Sequence, residues 1–231
     1  MKIIRLEKRF LYRLTRKKPE QALAETLSAL PGDIVTLGGS LPEGLSLADA
    51  KDFVRRLTAR GLRVVIDSRS FSAMDLLELR PWLIKPNEQE FRAMAGPCVL
   101  EEDGTLSIGK AAAVMNGLHG CGIENVMLSL GSRGALLCCS EGSYYAKGPE
   151  LEAVSTIGAG DNFNAGFSCA LVWQGISKHQ LYTLDQQGWG RLIDVACQFA
   201  GEACRSTQNY ISVAFGAKVR AIIQEDLHYV H

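Results

Sequence analysis

An α/β fold, arranged as a three-layer α/β/α sandwich, is predicted from three observations. Short apolar runs alternate with longer amphipathic ones, the pattern of parallel βα units. Several of those runs end on an acid, a Lys-Pro pair or a glycine-rich turn, as expected where a strand gives way to a helix. At 231 residues, 47% hydrophobic and 22% charged, the chain can bury a sizeable core without disulfide or metal staples.

Taken in chain order, Asp33–Leu37 reads as a strand leading into Gly38-Gly39-Ser40-Leu41-Pro42, and Leu47–Arg60 as a helix stopped by Gly61. Arg63–Asp67 is a second strand that ends on an acid. Trp82–Lys85 is a third, after which Pro86 and Asn87 open a helix running to Ala95. Ile108–Leu118 is helical and Asn125–Leu130 is a buried strand. Gly131–Gly134 turns into a further strand, Ala135–Cys139, which pairs with Ser143–Ala146 through a hairpin at Glu141-Gly142. A long helix to Trp173 starts behind Gly158-Ala159-Gly160, and Leu192–Ser206 and Val213–Glu225 complete the helices.

Lys plus Arg equals Asp plus Glu at 25 each, so overall charge gives no argument for nucleic acid or an anionic membrane as a partner. The balance hides a basic start: residues 1–18 carry eight basic residues against the single acid Glu7, read as a solvated, partly frayed end. No apolar run approaches the roughly 18 residues of a membrane span. The seven cysteines include no C-x-x-C and no ligand-spaced pairing with histidine, and the odd count fits a reducing compartment, with the cytoplasm as default.

Three constellations could carry chemistry. Gly158-Ala159-Gly160-Asp161 puts three small residues directly before a helix, leaving its first N–H groups open beside the positive end of the helix dipole, which suits a phosphoryl group. An acid in the first turn then lies within reach of whatever attacks that phosphorus. A glycine-rich turn with Asp161 as a helix-start charge explains the same residues. In Lys85-Pro86-Asn87-Glu88-Gln89-Glu90, Asn87 and Glu90 lie on one helix face, where they also make a capping box that needs no ligand. Gly131 and Gly134, behind Ser129, permit close backbone approach to a ligand, or simply a hairpin turn.

Together these strings resemble the PfkB (ribokinase-like) family of carbohydrate kinases. G-A-G-D followed by Asn162-Phe163-Asn164-Ala165-Gly166 resembles the family's second signature; K-P-N-x-x-E and S-L-G-x-x-G-A match two further motifs in the right order. The resemblance implies a ribokinase-like fold that uses ATP and Mg2+. It implies an anion hole at Gly158, Ala159 and Gly160, with Asp161 taking the proton of the acceptor hydroxyl. It assigns Lys85, Asn87, Ser129, Gly131 and Gly134 to the nucleotide, and Asn87 and Glu90 to magnesium and its waters. Asn209, after the helix that in the family precedes the adenine, is a nucleotide candidate or a helix C-cap.

Gly38-Gly39-Ser40-Leu41-Pro42-Glu43-Gly44 and Ser155-Thr156-Ile157 resemble the phosphofructokinase and tagatose-phosphate kinase branch. On that likeness Gly39, Ser40 and Asp67 are acceptor-side candidates, though a strand-ending Asp67 also suits a turn cap. Ser155 replaces an Asp usual in many ribokinases, which argues against a monovalent-cation site of that type. The partner implied is a small sugar or sugar phosphate, and a homodimer is left open.

Residues 1–32 match none of the family's motifs, whereas 33–231 read as a nucleotide-binding and catalytic domain equivalent to the C-terminal two-thirds of a typical member. Because no glycine precedes Gly32, the usual N-terminal Gly-Gly substrate loop and small β-sheet lid are not expected. The chain is accordingly read as a short form, a truncated product or part of a longer protein. Two alternatives stand beside an active carbohydrate kinase. One is a catalytically silent nucleotide-binding fragment or a subunit needing a partner. The other is a vitamin kinase acting on hydroxymethylpyrimidine or pyridoxal.

Overall fold

Consecutive apolar residues dictate the central strands. In β2 (Ile34–Gly38), β3 (Arg63–Asp67) and β5 (Asn125–Ser129), four successive residues are buried before a half-buried last one. Side chains alternate between faces along a strand, so unbroken burial means that both faces are covered, as parallel sheets require. The computed structural model describes residues 2–6, 31–41, 43–177, 180–182, 184–207 and 211–228. It divides into two units, Met1–Leu128 with Cys138–Ser140, and Ser129–Leu137 with Glu141–His231.

In the first unit β1 (Ile3–Leu6), β2, β3, β4 (Leu83–Ile84) and β5 pair in that order, all parallel. The crossovers carry α1 (Leu47–Ala59), α2 (Ala73–Leu79), α3 (Glu88–Ala95) and α4 (Ile108–Gly120). Helix α1 buries Ala50, Phe53, Val54 and Leu57, a stripe at helical spacing. The α/β class read from the sequence is the class observed.

Three elements depart from the sequence reading. The basic start, read as a solvated end, contributes β1, whose Ile3 to Leu6 pair in register with Ile34 to Leu37. Its Ile-Ile-x-Leu run favours a strand, and Lys2 anchors it, its N–H donating to the Asp33 carboxylate at 2.7 Å. Helix α2 was not expected because it is short, yet Ser72 and Asp75 form a complete capping box at its start. In the second unit, α6 (Gln186–Cys204) begins well before Leu192, because Asp185 caps it by accepting the Gly188 N–H at 2.8 Å.

The second unit also holds β7 (Gly142–Ala146), which follows β6 (Ala135–Cys139), and the helices α5 (Ala159–Trp173) and α7 (Val213–His228). Helices α5 and α6 approach closely at Gly166, where a Cβ would sit 2.7 Å from that of Phe199 and 2.9 Å from the Val195 carbonyl oxygen. All seven cysteines are free thiols. Cys138 and Cys139 are buried, as their apolar run suggested. Burial, with a smaller push from Asp194, raises Cys197 to about 12. Among the described residues no helix is long and apolar enough to cross a membrane.

Helices α1 and α2 are joined by ion pairs: Lys51 contacts Asp75 at 2.8 Å and also Glu78, which Arg55 meets from the same helix as Lys51. Lys51 first, then the Ser72 hydroxyl and N–H, hold Asp75 down to about 2. Because the folded value lies below the ordinary one, this contribution is complete above about pH 4 and is lost as pH falls towards 2. Asp75→Asn should therefore lower stability at neutral pH by about 1 kcal/mol. Urea unfolding at a series of pH values should show the gap from the natural protein closing between about pH 4 and pH 2.

Candidate active site

The carboxyl ends of β2, β3 and β4 carry the candidates of the first unit, the end at which open α/β sheets bind ligands. Gly38 is the register partner of Asp67, and the Gly39 N–H donates to the Asp67 main-chain carbonyl at 3.0 Å. The Lys85 N–H donates to the Ile66 carbonyl, also at 3.0 Å. Three strand ends are thus stitched together by backbone. The Lys85 side chain is only 4% exposed and sets its ammonium 3.1 Å from Asp67 Oδ1. Sequence reasoning assigned Lys85 to the nucleotide and Asp67 to the acceptor; the fold brings the two into one ion pair.

Ser40 is half-buried in the loop that follows β2. Its neighbour Leu41 donates its N–H to the Ser70 hydroxyl at 3.1 Å, which ties this loop to the segment after β3. Leu37, Leu41, Phe53 and Phe71 line a small apolar hollow beside Gly38 and Gly39. Sequence reasoning missed Ser70, because a serine in a polar loop carries no signal of a partner so distant in the chain.

Asn87 and Glu90 form the capping box that their spacing allowed. Asn87 Oδ1 accepts the Glu90 N–H, and Glu90 Oε2 accepts the Asn87 N–H, each at 2.9 Å. Among the described residues no three His, Cys, Asp or Glu side chains cluster to hold a metal. Magnesium usually takes one or two carboxylates plus substrate phosphates rather than an all-protein cage. Glu90, half-buried and with Oε1 outside the capping bond, fits such a part.

The second unit carries the remaining candidates. Ser129 is half-buried, and the turn after it is closed by Leu130 N–H to Gly134 carbonyl at 2.8 Å and Gly134 N–H to Gly131 carbonyl at 3.0 Å. Gly134, at φ 100°, lies so close to the backbone after β7 that a Cβ would stand 2.0 Å from the Ala146 oxygen and 2.4 Å from the Gly148 nitrogen. Packing alone accounts for this glycine. Gly131 has φ 61°, but a Cβ there would meet nothing within 4 Å, so open space faces it.

Gly158 caps α5 in the left-handed region, φ 78°, which a glycine adopts without strain. Its carbonyl accepts both the N–H and the side-chain amide of Asn162, at 2.9 and 3.0 Å. Of the three N–H groups expected to be open, that of Ala159 donates to the Thr156 carbonyl at 3.2 Å. Those of Gly158 and Gly160 meet no acceptor among the described residues. Asp161 is exposed in the first turn of α5. The approach is fixed from below by α6, whose Cys204 carbonyl accepts the N–H groups of Val154 and Ser155 at 2.8 and 3.2 Å. These anchors are main-chain atoms and so leave no mark in the residue pattern. Asn209 lies outside the described residues.

A helix that starts on open glycine N–H groups with an acid in its first turn is suited to hold an anion beside a base. The sequence profile described as pfkB family carbohydrate kinase matches residues 14–210. The chain belongs to the pfkB family. The match starts upstream of Asp33, inside the segment that the motifs left unassigned. Among the family's curated members, the 1-phosphofructokinase of Escherichia coli (strain K12) is 34% identical over 163 residues, covering 70% of this chain and 50% of that protein. The 1-phosphofructokinase of Haloferax volcanii is 32% identical over 165 residues, covering 69% and 51%. The chain thus spans about half the length of the curated relatives it matches.

Solved structures agree in fold. Phosphofructokinase-2 from Escherichia coli, in complex with substrates and products, superposes with a TM-score of 0.68 at 22% identity, over 95% of this chain and 64% of that one. Aminoimidazole riboside kinase from Salmonella enterica gives 0.57 at 18% identity, over 84% and 63%.

The two glycines of the turn make a contrasting pair. Gly134→Ala should destabilise the protein by about 2–4 kcal/mol, through both a positive φ and a backbone collision. Gly131→Ala should cost only about 1–2 kcal/mol, for the backbone conformation alone. Denaturant unfolding of the two variants side by side checks the order.

Proposed function

We propose that the chain transfers the γ-phosphoryl group of ATP to a hydroxyl of a sugar phosphate. The observation that carries this reading is the start of α5, where glycine N–H groups and an exposed carboxylate stand together in a member of a carbohydrate kinase family. In the step proposed, the acceptor oxygen bonds to the γ-phosphorus while the bond to the bridging oxygen of ADP breaks. The hydroxyl proton passes to the Asp161 carboxylate. The Gly158 and Gly160 N–H groups hold the transferring phosphoryl oxygens, and such positioning and charge stabilisation supply most of the catalysis in phosphoryl transfer.

Ser129, Gly131, Gly134 and Asn209 are assigned to the nucleotide. Magnesium, when bound, neutralises charge on the phosphates; Asn87 and Glu90 orient its waters while continuing to cap α3. The names of the curated relatives make a ketohexose phosphate the first acceptor to try. Gly39 and Ser40 would line its side of the site.

The half-length match to those relatives favours one second reading, a nucleotide-binding chain that is silent by itself or completed by a partner. Calorimetry with Mg-ATP followed by an ADP-release assay separates the two. Both readings predict heat on Mg-ATP binding, and only the first predicts turnover with fructose 1-phosphate or another ketohexose phosphate exceeding that with ribose or adenosine. A folded protein giving no heat and no thermal shift in millimolar Mg-ATP would count against both.

Asp161→Asn tests the chemistry alone. Turnover should drop by about 10²-fold or more with loss of the general base. Mg-ATP affinity should hold or tighten, since a negative charge near the phosphates is removed. Stability should change little, because the substitution keeps the size and a polar side chain at the helix start. Near-normal turnover in the folded variant would remove Asp161 from the mechanism.

A further inference from the structure

Two loops run together at the carboxyl ends of β2 and β3, and hydrogen bonds join them at two points. The Gly39 N–H donates to the Asp67 carbonyl at 3.0 Å, and the Leu41 N–H donates to the Ser70 hydroxyl at 3.1 Å. The Ser70 N–H in turn donates to the Ser68 hydroxyl at 3.2 Å. Ser68 and Phe71 also line the apolar hollow beside Gly39, and Phe71 is buried there. Ser68, Ser70 and Phe71 thus hold the second loop against the first. Arg69, among them, is exposed and makes no hydrogen bond or ion pair among the described residues, including none with Glu43 on the other loop. The backbone is pinned on both sides of a cation that the chain itself does not use.

We propose that Arg69 grips the phosphate that the acceptor already carries, and so sets a preference for sugar phosphates over free sugars. The proposal rests on the phosphoryl-transfer reading for its ligand. Residues 38–44 and 67–72 contain two acids, Glu43 and Asp67, and a single base, Arg69. A phosphate monoester carries about two negative charges near neutral pH. Gly39 and Ser40 can offer it only neutral N–H and O–H donors, so the charge must be met from elsewhere on these loops. A guanidinium meets it well, because its planar fork of donors matches two phosphate oxygens at once. The pinned backbone lowers the cost of holding that fork in place when the ligand arrives.

The test compares the natural protein with Arg69→Gln and Arg69→Lys, on the full chain. Arg69 has no partner within the described chain, so both variants should keep the natural denaturant midpoint and the natural hydrogen exchange at the Leu41 amide. Calorimetry then measures fructose 1-phosphate, fructose 6-phosphate, fructose and a magnesium–ATP analogue. The natural protein should bind the tighter of the two sugar phosphates better than fructose. Arg69→Gln should weaken that sugar phosphate by about tenfold or more, the size of a lost charge-assisted contact. The ATP analogue should change by less than about threefold. Arg69→Lys, which keeps the charge without the fork, should recover part of the loss. Added salt should erode sugar-phosphate binding more in the natural protein than in Arg69→Gln.

In a turning-over enzyme Arg69→Gln should raise the KM for the sugar phosphate more than it lowers kcat. Unchanged sugar-phosphate affinity in Arg69→Gln would overturn the role of Arg69 and leave the phosphoryl-transfer reading standing. Faster exchange at Leu41 in that variant would also overturn it, by showing that the side chain supports the loop. So would a loss confined to the ATP analogue, or a natural protein that binds the analogue but prefers fructose to both sugar phosphates or binds no sugar phosphate. A natural protein that binds neither nucleotide nor sugar phosphate would sink this proposal and the phosphoryl-transfer reading together.

Discussion

Parallel strand pairing in register is the constraint on which the first unit depends. Ile34 to Gly38 pair with Arg63 to Asp67, and Val65 and Ile66 with Leu83 and Ile84, so that three strands finish at one edge. A one-residue slip would turn each strand's alternating side chains to the other face. It would also move Gly39 off the Asp67 carbonyl and Lys85 off that of Ile66. The polar edge is therefore specified by the apolar core behind it. Val35, Val64, Leu83 and Val126 are at most 1% exposed, and this burial makes the register costly to change.

The second unit rests on close backbone approach instead. Gly134 against Ala146 and Gly148, Gly166 against Phe199 and Val195, and Gly201 against Pro149 leave no room for a side chain. These contacts bring β7, α5 and α6 together, and the Cys204 carbonyl at the end of α6 holds the loop that delivers Gly158. Small residues here serve packing as much as chemistry. The start of α5 keeps two N–H groups clear because a glycine in the left-handed region turns the chain sharply into the helix.

Much of this was legible in the sequence. The strands around Ile34, Val64, Val126 and Leu136 announce themselves as apolar runs too short for helices, and the Asn87–Glu90 spacing specifies the cap that forms. Less legible were β1, whose apolar alternation is diluted by basic neighbours, and the early turns of α6, where Gly188 and Gly190 imitate a loop. The Lys85–Asp67 pair could not be read at all. It joins residues from different strands, and nothing local distinguishes a lysine that reaches a phosphate from one that reaches a carboxylate. Equally silent are the main-chain carbonyls of Thr156 and Cys204, since every residue has one.

The reciprocal pair of hydrogen bonds between Asn87 and Glu90 has a consequence for how such sequences diverge. Each residue satisfies an N–H of the other at the start of α3, so both are held in place by folding whether or not a ligand is ever bound. A descendant that had lost its catalytic step would still be selected to keep an Asn or a close substitute there, with an acid three positions on. The motif can outlive the chemistry that made it recognisable. Asp161 takes part in no such reciprocal cap, so on the proposed reading its identity is the better gauge of whether a lineage still carries out the reaction.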